Sequence, residues 1–479
     1  MTAPGDAEGR AANWLPRCYP RSWRARYGEE FTELLLGGVR RADGPGGAQR
    51  MSSGRGCWPG GTDPRQHSNA VGRRPCRSPP TGRTLRVLGS FPGPEIARMA
   101  LSPVACLGLA GGGACVPRRL RPAPRLLAYR CERQDGDMRA ILVEQFGVRP
   151  TVADVPDLNA ADHGVTLRVQ ATGLCRSDWH GWQGHDAGIR LPYVPGHEIA
   201  GTIAAVGRKV HGWSAGDRVT APFVLACGTC AQCRDGNQQV CLNQEQPGFT
   251  YWGSFAEYVA IPRAQANLVR LPDGLSFDGA ASLGCRFATA YRAVRQVGRA
   301  SAGEWVAILG CGGVGLSALM IAAACDARVI AIDISPDALA LAAAYGAAHT
   351  LAPAPGIAQS IRDITGGGAH LSIDAIGSAE VVQLALRSLR PRGRHVQVGL
   401  LPAEVSLDLT VLIAGELQWL GSHGMPAHDY RQMLELVNSG AVRPDELVTR
   451  VIGLDDVPDA LAAMNTASTP GVTVIRPWA

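Results

Sequence analysis

The chain has 479 residues, 46% of them hydrophobic, enough to bury the cores of two or three domains. Its formal net charge of +6 is unevenly spread: residues 1–137 hold 22 Arg against 11 acidic residues, and the remainder holds 25 basic and 30 acidic residues. The body is therefore mildly acidic, which argues against nucleic acid as a partner; the apolar stretch Leu101–Val116 is Gly-rich and shorter than the about 20 residues of a membrane span, so no membrane partner is expected.

In chain order, Trp23, Tyr27, Phe31, Leu34 and Leu35 recur at helical spacing and predict one short amphipathic helix. Residues 38–137 are rich in Gly, Pro and Arg without periodicity and read as an irregular or disordered extension. A start codon assigned too far upstream would also account for them. Met138–Val143 begins at once with a strand-like run, which makes Met138 the natural start.

From 138 onward, short β-type runs (Val165–Val169, Ile199–Val206, Arg218–Ala221) alternate with Gly, Pro and Asp and predict a β-rich domain over 138–286. From 287 to 422 strands and helices alternate. Strands are predicted at Trp305–Leu309, Arg328–Ile332, Leu371–Ala375, His395–Val398 and Gln418–Leu420, with helices at Val314–Cys325 and Pro336–Tyr345. Repeated βα units imply a doubly wound parallel sheet, so the fold class is α/β. The last part, 423–479, has helical Tyr430–Val437 and Val457–Met464, apolar Leu447–Ile452 and a strand at Val472–Ile475; it is expected to return to the first domain.

Three patterns carry chemistry. Gly310-Cys311-Gly312-Gly313-Val314-Gly315 follows a predicted strand and opens a predicted helix, the context in which glycines let a pyrophosphate approach a helix N-terminus. Asp333 ends the next strand, where a carboxylate bonds adenine-ribose hydroxyls and repels a 2′-phosphate; this favours NAD over NADP. Cys227, Cys230, Cys233 and Cys241 have the spacing of a closed four-thiolate zinc site, structural in role, within a lobe (227–241) that has little core of its own. Metal thiolates rather than disulfides suit a reducing compartment, so a cytoplasmic location is expected. The third pattern, Gly173-Leu174-Cys175-Arg176-Ser177-Asp178-Trp179-His180, crowds a thiol, a hydroxyl, a carboxylate and an imidazole into six residues, a mixture that is costly to bury. Gly196-His197-Glu198 and Gly284-Cys285-Arg286 follow it.

In these motifs and their order, residues 138–479 resemble the zinc-dependent alcohol dehydrogenases of the medium-chain dehydrogenase/reductase superfamily. The resemblance implies a GroES-like β-rich catalytic domain beside a Rossmann cofactor domain. It implies a catalytic zinc on Cys175, His197 and Cys285, hence two zinc ions per chain, with NAD as hydride acceptor. Glu198 would be a carboxylate beside the zinc or its transient ligand, and Asp178 would orient the histidine ligand. Ser177 would take the alcohol proton and His180 pass it to solvent. Arg176 is expected at the cofactor phosphates and Thr289, one helical turn after Cys285, at the nicotinamide. Phe223 and Phe255 are expected to face the substrate, and Trp179 and Trp182 to narrow the entrance. Such an apolar, aromatic slot would suit a small or medium apolar alcohol or aldehyde, in a homodimer or homotetramer. Polyol, sugar or amino-alcohol oxidation on the same fold needs further hydrogen-bond partners, of which the sequence displays few. A non-catalytic zinc-bound regulatory protein is the alternative of another class. Cys311 and Cys325 read as core, and His185, His423 and His428 fall in no pattern that assigns them.

Overall fold

The computed structural model describes residues 137–401, 404–466 and 470–479. The amphipathic helix expected near Trp23–Leu35 and the irregular extension lie outside the described residues.

The strand-like run at Met138 opens β1 (Asp137–Leu142), which pairs antiparallel with β2 (Thr151–Pro156). The β-rich part is a seven-stranded sheet built on β3 (Val165–Leu174), β4 (Ile199–Val206), β5 (Arg218–Thr220), β6 (Tyr258–Ile261) and β7 (Val269–Arg270). β3 is longer than the predicted run because Gln170, Thr172 and Gly173 continue it toward the polar motif. There Cys175 caps α1 (Arg176–Trp182), whose first turn carries Asp178.

Between this sheet and the next lies α2 (Arg286–Tyr291), every residue of which is buried. The second sheet is parallel and six-stranded. It contains β8 (Trp305–Leu309), β9 (Arg328–Ile332), β10 (His349–Leu351), β11 (Ala369–Asp374), β12 (Leu389–Gln397) and β13 (Gln418–Gly421) in the order β10-β9-β8-β11-β12-β13. Helices α3 (Gly313–Ala323), α4 (Pro336–Ala344), α5 (Ile357–Thr365) and α6 (Ala379–Arg387) connect the strands. Apolar runs such as Trp-Val-Ala-Ile-Leu at 305–309 form its buried middle, as helix-covered parallel strands require. The strand order reverses between β8 and β11, the place where open α/β sheets leave a crevice.

The chain then forms α7 (Tyr430–Asn438), β14 (Val448–Ile452), α8 (Val457–Ala463) and β15 (Val472–Ile475). β15 pairs antiparallel with β3 and parallel with β14, so the last strands join the first large sheet. β2, β6, β10, α5 and α6 had no sequence assignment, being short or flanked by weak punctuation. Among the described residues, no helix is long and apolar enough to cross a membrane.

One side chain from the last part braces the centre of the molecule. Tyr430 is fully buried, and its hydroxyl donates to the Leu283 carbonyl at 2.9 Å, two residues before Cys285. Tyr430→Phe would leave that buried carbonyl without its donor. It should lower the unfolding free energy by about 1–3 kcal/mol, read as a reduced denaturant midpoint; an unchanged midpoint would show that the bond is replaced by another donor.

Candidate active site and metal centres

The site is assembled by one carboxylate. Asp178, on the first turn of α1, is 2% exposed. Its Oδ2 accepts from the Cys175 amide at 2.9 Å, and its Oδ1 accepts from the Gly196 amide at 3.1 Å and faces His197 Nδ1 at 3.0 Å. A buried carboxylate beside Nδ1 keeps the proton on that nitrogen. The lone pair is left on Nε2, which is buried and has no hydrogen-bond partner. That orphaned acceptor points to a metal: the donor atoms of Cys175, His197 and Cys285 all lie within 4.8 Å of one another. Two thiols and an imidazole are suitable zinc ligands, and three protein ligands leave a fourth position for chemistry.

Glu198 takes a different partner. It is fully buried, and its Oε1 accepts from the Arg286 backbone amide and Nε, both at 2.9 Å. Arg286 Nη2 also pairs with Glu198 Oε2. The Arg286 side chain continues to the glycine loop, where a Cβ placed on Gly313 would fall 2.4 Å from its Cδ. A charged residue at 286 drew no role from sequence, yet it stands between the metal ligands and the cofactor loop. Its adjacency to Cys285 was the available signal.

Ser177 Oγ lies 3.8 Å from Cys175 Sγ, beside the three donors. His180, on the exposed end of α1, places Nδ1 2.9 Å from Nδ1 of His185. At that distance a single proton lies between the two rings. Burial, then the facing charges of His185 and Arg176, hold the His180 imidazole below its ordinary range, so it is neutral and able to accept at pH 7. His185 therefore extends the exposed end of the polar motif. Its spacing of five residues from His180 matches no helical repeat, which is why sequence reading passed over it.

Cys227, Cys230, Cys233 and Cys241 converge, again with donor atoms within 4.8 Å of one another. The separations are 3.4 Å for Cys230–Cys233, 3.7 Å for Cys230–Cys241 and 3.9 Å for Cys227–Cys233. A tetrahedron with Zn–S bonds of about 2.3 Å has edges of about 3.8 Å, so the four sulfurs fit that ion. The amides of Thr229 and Cys230 donate to Cys227 Sγ at 3.4 and 3.3 Å and hold its thiol down to about 5. The local core is little more than Ala226, Cys233 and Cys241, so the lobe depends on its sulfurs.

The glycine loop lies between β8 and α3. Gly310 has φ +95°, a conformation glycine adopts readily, and a Cβ at Gly315 would sit 1.7 Å from the Gly310 carbonyl oxygen. Space for a Cβ is open at Gly312, and Val314 lies in the first helical turn. Asp333 follows β9; its Oδ2 accepts from the Cys311 amide at 2.6 Å and its Oδ1 from the Ser335 amide at 2.8 Å. These bonds orient the carboxylate at the rim of a helix N-terminus suited to a dinucleotide. Thr289 Oγ1 is buried without a partner one turn beyond Cys285, open to a cofactor amide. Arg176 donates to the Met464 carbonyl and lies 4.3 Å over the Trp179 ring, engaged with the protein rather than free in solvent.

The walls correct several expectations. Phe223 stands 6.2 Å, ring to ring, from His197. Phe255 does not face it: its ring is fully buried among Ile141, Val194 and Ile475, because it belongs to the core under Gly196. Phe249, unassigned from sequence, occupies the wall instead, 5.3 Å from His197. Trp182 is likewise core, with Nε1 donating to the Val148 carbonyl, so it cannot narrow the entrance. Trp179 is half-buried and bonds Asn465 at 2.7 Å. Beyond Phe223 stands His423, rings 5.2 Å apart, at the edge of a cavity of about 420 Å³. Gln239, Arg292, Gln397, Ser422 and His423 line it together with the apolar Val240, Val398, Leu400 and Leu401.

Two outcomes test this geometry. Asp178→Asn removes the charge that sets the His197 proton and should weaken metal binding at the Cys175 centre by about 10–100-fold in chelator competition; unchanged affinity would show that the carboxylate does not orient the ring. His185→Asn removes a like charge beside His180, so the His180 pKa should rise toward its ordinary value. The ring then stays protonated to higher pH, which a ring-proton NMR titration reads; an unmoved titration would show the two rings uncoupled.

Two family models match the chain: the alcohol dehydrogenase GroES-like domain over residues 161–273 and the zinc-binding dehydrogenase domain over 313–439. An alcohol dehydrogenase of Geobacillus stearothermophilus is 33% identical over 343 residues, covering 71% of this chain and 99% of that protein. A D-arabitol-phosphate dehydrogenase of Enterococcus avium is 33% identical over 297 residues, covering 61% of this chain and 84% of that protein. Among solved structures, the alcohol dehydrogenase of Aeropyrum pernix is 29% identical and superposes with a TM-score of 0.65, over 71% of this chain and 100% of that one. Sequence, fold and donor geometry agree: the chain belongs to the zinc-dependent alcohol dehydrogenases of the medium-chain dehydrogenase/reductase superfamily.

Proposed function

We propose that this protein oxidises a primary or secondary alcohol to the aldehyde or ketone, reversibly, with NAD as hydride acceptor and two zinc ions per chain. The observation that carries the reading is the buried, unpartnered His197 Nε2 facing two thiols, with the Ser177 hydroxyl beside them. When bound, zinc supplies Lewis acidity at the alcohol oxygen and NAD takes up the hydride. Asp178 keeps the His197 lone pair turned to the metal. Ser177 takes the hydroxyl proton, and His180, neutral at pH 7, passes it through His185 to solvent. Phe223 and Phe249 exclude water around the reacting carbon. The Cys227–Cys241 centre has four protein ligands and so holds its lobe without chemistry.

NAD rather than NADP is supported by Asp333, whose charge would repel a 2′-phosphate, and by the uncharged Ile334 and Ser335 that follow. Assembly as a homodimer or homotetramer is supported by Leu409, Ile413 and Trp419, large exposed apolar residues on or just before the edge strand β13. A second reading, oxidation of a polyol or its derivative, is favoured by the five polar side chains lining the cavity.

The test is metal analysis joined to an alcohol and polyol screen with NAD and NADP in parallel. Two zinc ions per chain and NADH formation are expected. Cys175→Ala should lose one zinc and all turnover while retaining the other ion. Full zinc with no NADH from any substrate would refute the enzymatic reading, and a preference for NADP would refute the role given to Asp333.

A further inference from the structure

The parallel sheet has a second edge with chemistry of its own, at the N-terminal ends of its strands. The glycine loop follows Leu309 at the end of β8, whereas Trp305 begins that strand, about 13 Å away along it. At this far edge His370, near the start of β11, stands beside Arg390, near the start of β12. His370 Nδ1 accepts from the Trp305 amide at 3.1 Å, so the single proton of the neutral ring sits on Nε2. Burial, then the charges of Arg390, Arg394 and Arg328, hold the imidazole below its ordinary range and neutral at pH 7. Its Nε2 lies 2.8 Å from Arg390 Nη1, and a guanidinium nitrogen can only donate. Two N–H groups therefore face each other, a contact that satisfies neither.

Neighbouring acceptors serve other donors. Glu304, the carboxylate acting on this ring, accepts at Oε2 from the Ser301 amide at 3.0 Å and from Arg394 Nη2 at 2.6 Å. The Leu389 carbonyl accepts from Arg362 Nη1 at 2.8 Å. Arg394 Nε is buried without a partner. Three guanidiniums and one carboxylate bear on His370, a surplus of two positive charges. Donors that converge without an acceptor mark the place where a ligand supplies one. The place is also held firmly: Gly368, at φ +127°, packs so closely on the next strand that a Cβ there would lie 2.3 Å from the Arg390 nitrogen. Arg390 is exposed and His370 half-buried, so the pair is open to solvent.

We propose that Arg390 and His370 Nε2 bind a phosphate group, as free inorganic phosphate or as a small phosphate monoester, at this edge of the cofactor sheet. Phosphate oxygens accept from the guanidinium and from the ring N–H, which replaces the donor–donor contact by two charge-assisted bonds. A phosphate dianion also matches the surplus of two positive charges, which a carboxylate would only halve. The site is separate from both cysteine centres and from the glycine loop, so it stands whatever alcohol the chain oxidises.

The test is calorimetric titration of the zinc-loaded full chain, saturated with NADH to occupy the glycine loop, in buffer free of phosphate and sulfate. The titrants are sodium phosphate, glycerol 1-phosphate and sodium acetate at matched ionic strength. Phosphate or glycerol phosphate should bind at least about tenfold more tightly than acetate, and the tighter of the two identifies the form of the ligand. Arg390→Gln should weaken that binding at least about tenfold, and Arg390→Lys should restore part of it. His370→Phe, which keeps a ring but has no N–H, should weaken it as well. Absent binding, equal binding of acetate, or unchanged affinity in Arg390→Gln would overturn the proposal. So would a loss of the same size in Arg392→Gln, whose exposed guanidinium lies 3.9 Å from Glu416 and reads only the general field. A single-stranded oligonucleotide that binds more tightly than either phosphate would overturn it too, by giving the edge to a nucleic-acid backbone. The wild type offers a check without any variant. Phosphate should slow phenylglyoxal modification of Arg390 more than that of Arg392, read by peptide mass spectrometry; equal protection sinks the site.

Discussion

Everything reactive in this chain hangs on the Asp178 carboxylate. Buried charge is tolerated only when its oxygens are hydrogen-bonded, and here the donors are the parts that must be brought together. The Cys175 amide fixes one thiol at the start of α1, the Gly196 amide fixes the approach to β4, and the His197 ring is held with its free nitrogen turned inward. One side chain thus converts two sequence-distant segments into a ligand set. The same bonds cap a short helix whose exposed end presents His180, so the donor set and that imidazole share one support.

A second buried charge ties that centre to the cofactor loop. Glu198 follows the histidine ligand, Arg286 follows the cysteine ligand, and the two side chains close on each other beneath Gly313. Removing one partner of such a pair leaves the other charge buried and uncompensated, at about 3–5 kcal/mol, so it behaves as a lock rather than an ornament. It also keeps Glu198 occupied beside the metal donors instead of among them. Tyr430 braces the same loop from the far end of the chain. Catalytic sheet, cofactor sheet and returning C-terminal part meet at residues 283–286.

The two cysteine-containing centres show how burial divides labour. In the lobe, backbone amides aim at sulfur and four thiols face one another, which satisfies every ligand position from within. At the Cys175 centre two thiols and one imidazole with an unpartnered Nε2 leave a direction open, toward Phe223 and Phe249. Openness on that side and hydrogen-bonded closure on the other distinguish the two groups of donors.

The sequence by itself determined what local chemistry can encode. The cysteine spacing, the glycine turn with Asp333 after the next strand, and the polar motif at 175–180 are each legible because a metal, a pyrophosphate or a proton requires those groups at short range. Short apolar runs bounded by turn residues likewise set strands such as Trp305–Leu309 and Val472–Ile475 to the residue. Tertiary structure alone decided which aromatic ring faces the site. Phe249 and Phe255 lie close together in sequence, and packing sends the unassigned one to the wall and the other to the core. It also decided that His185 meets His180 and that Arg286 closes on Glu198. It drew Gln239, Arg292 and Ser422 from three separate segments onto one cavity. Those partners lie far apart along the chain or at no regular period, so their meeting is fixed by sheet register and helix placement, not by any pattern that a linear reading can detect.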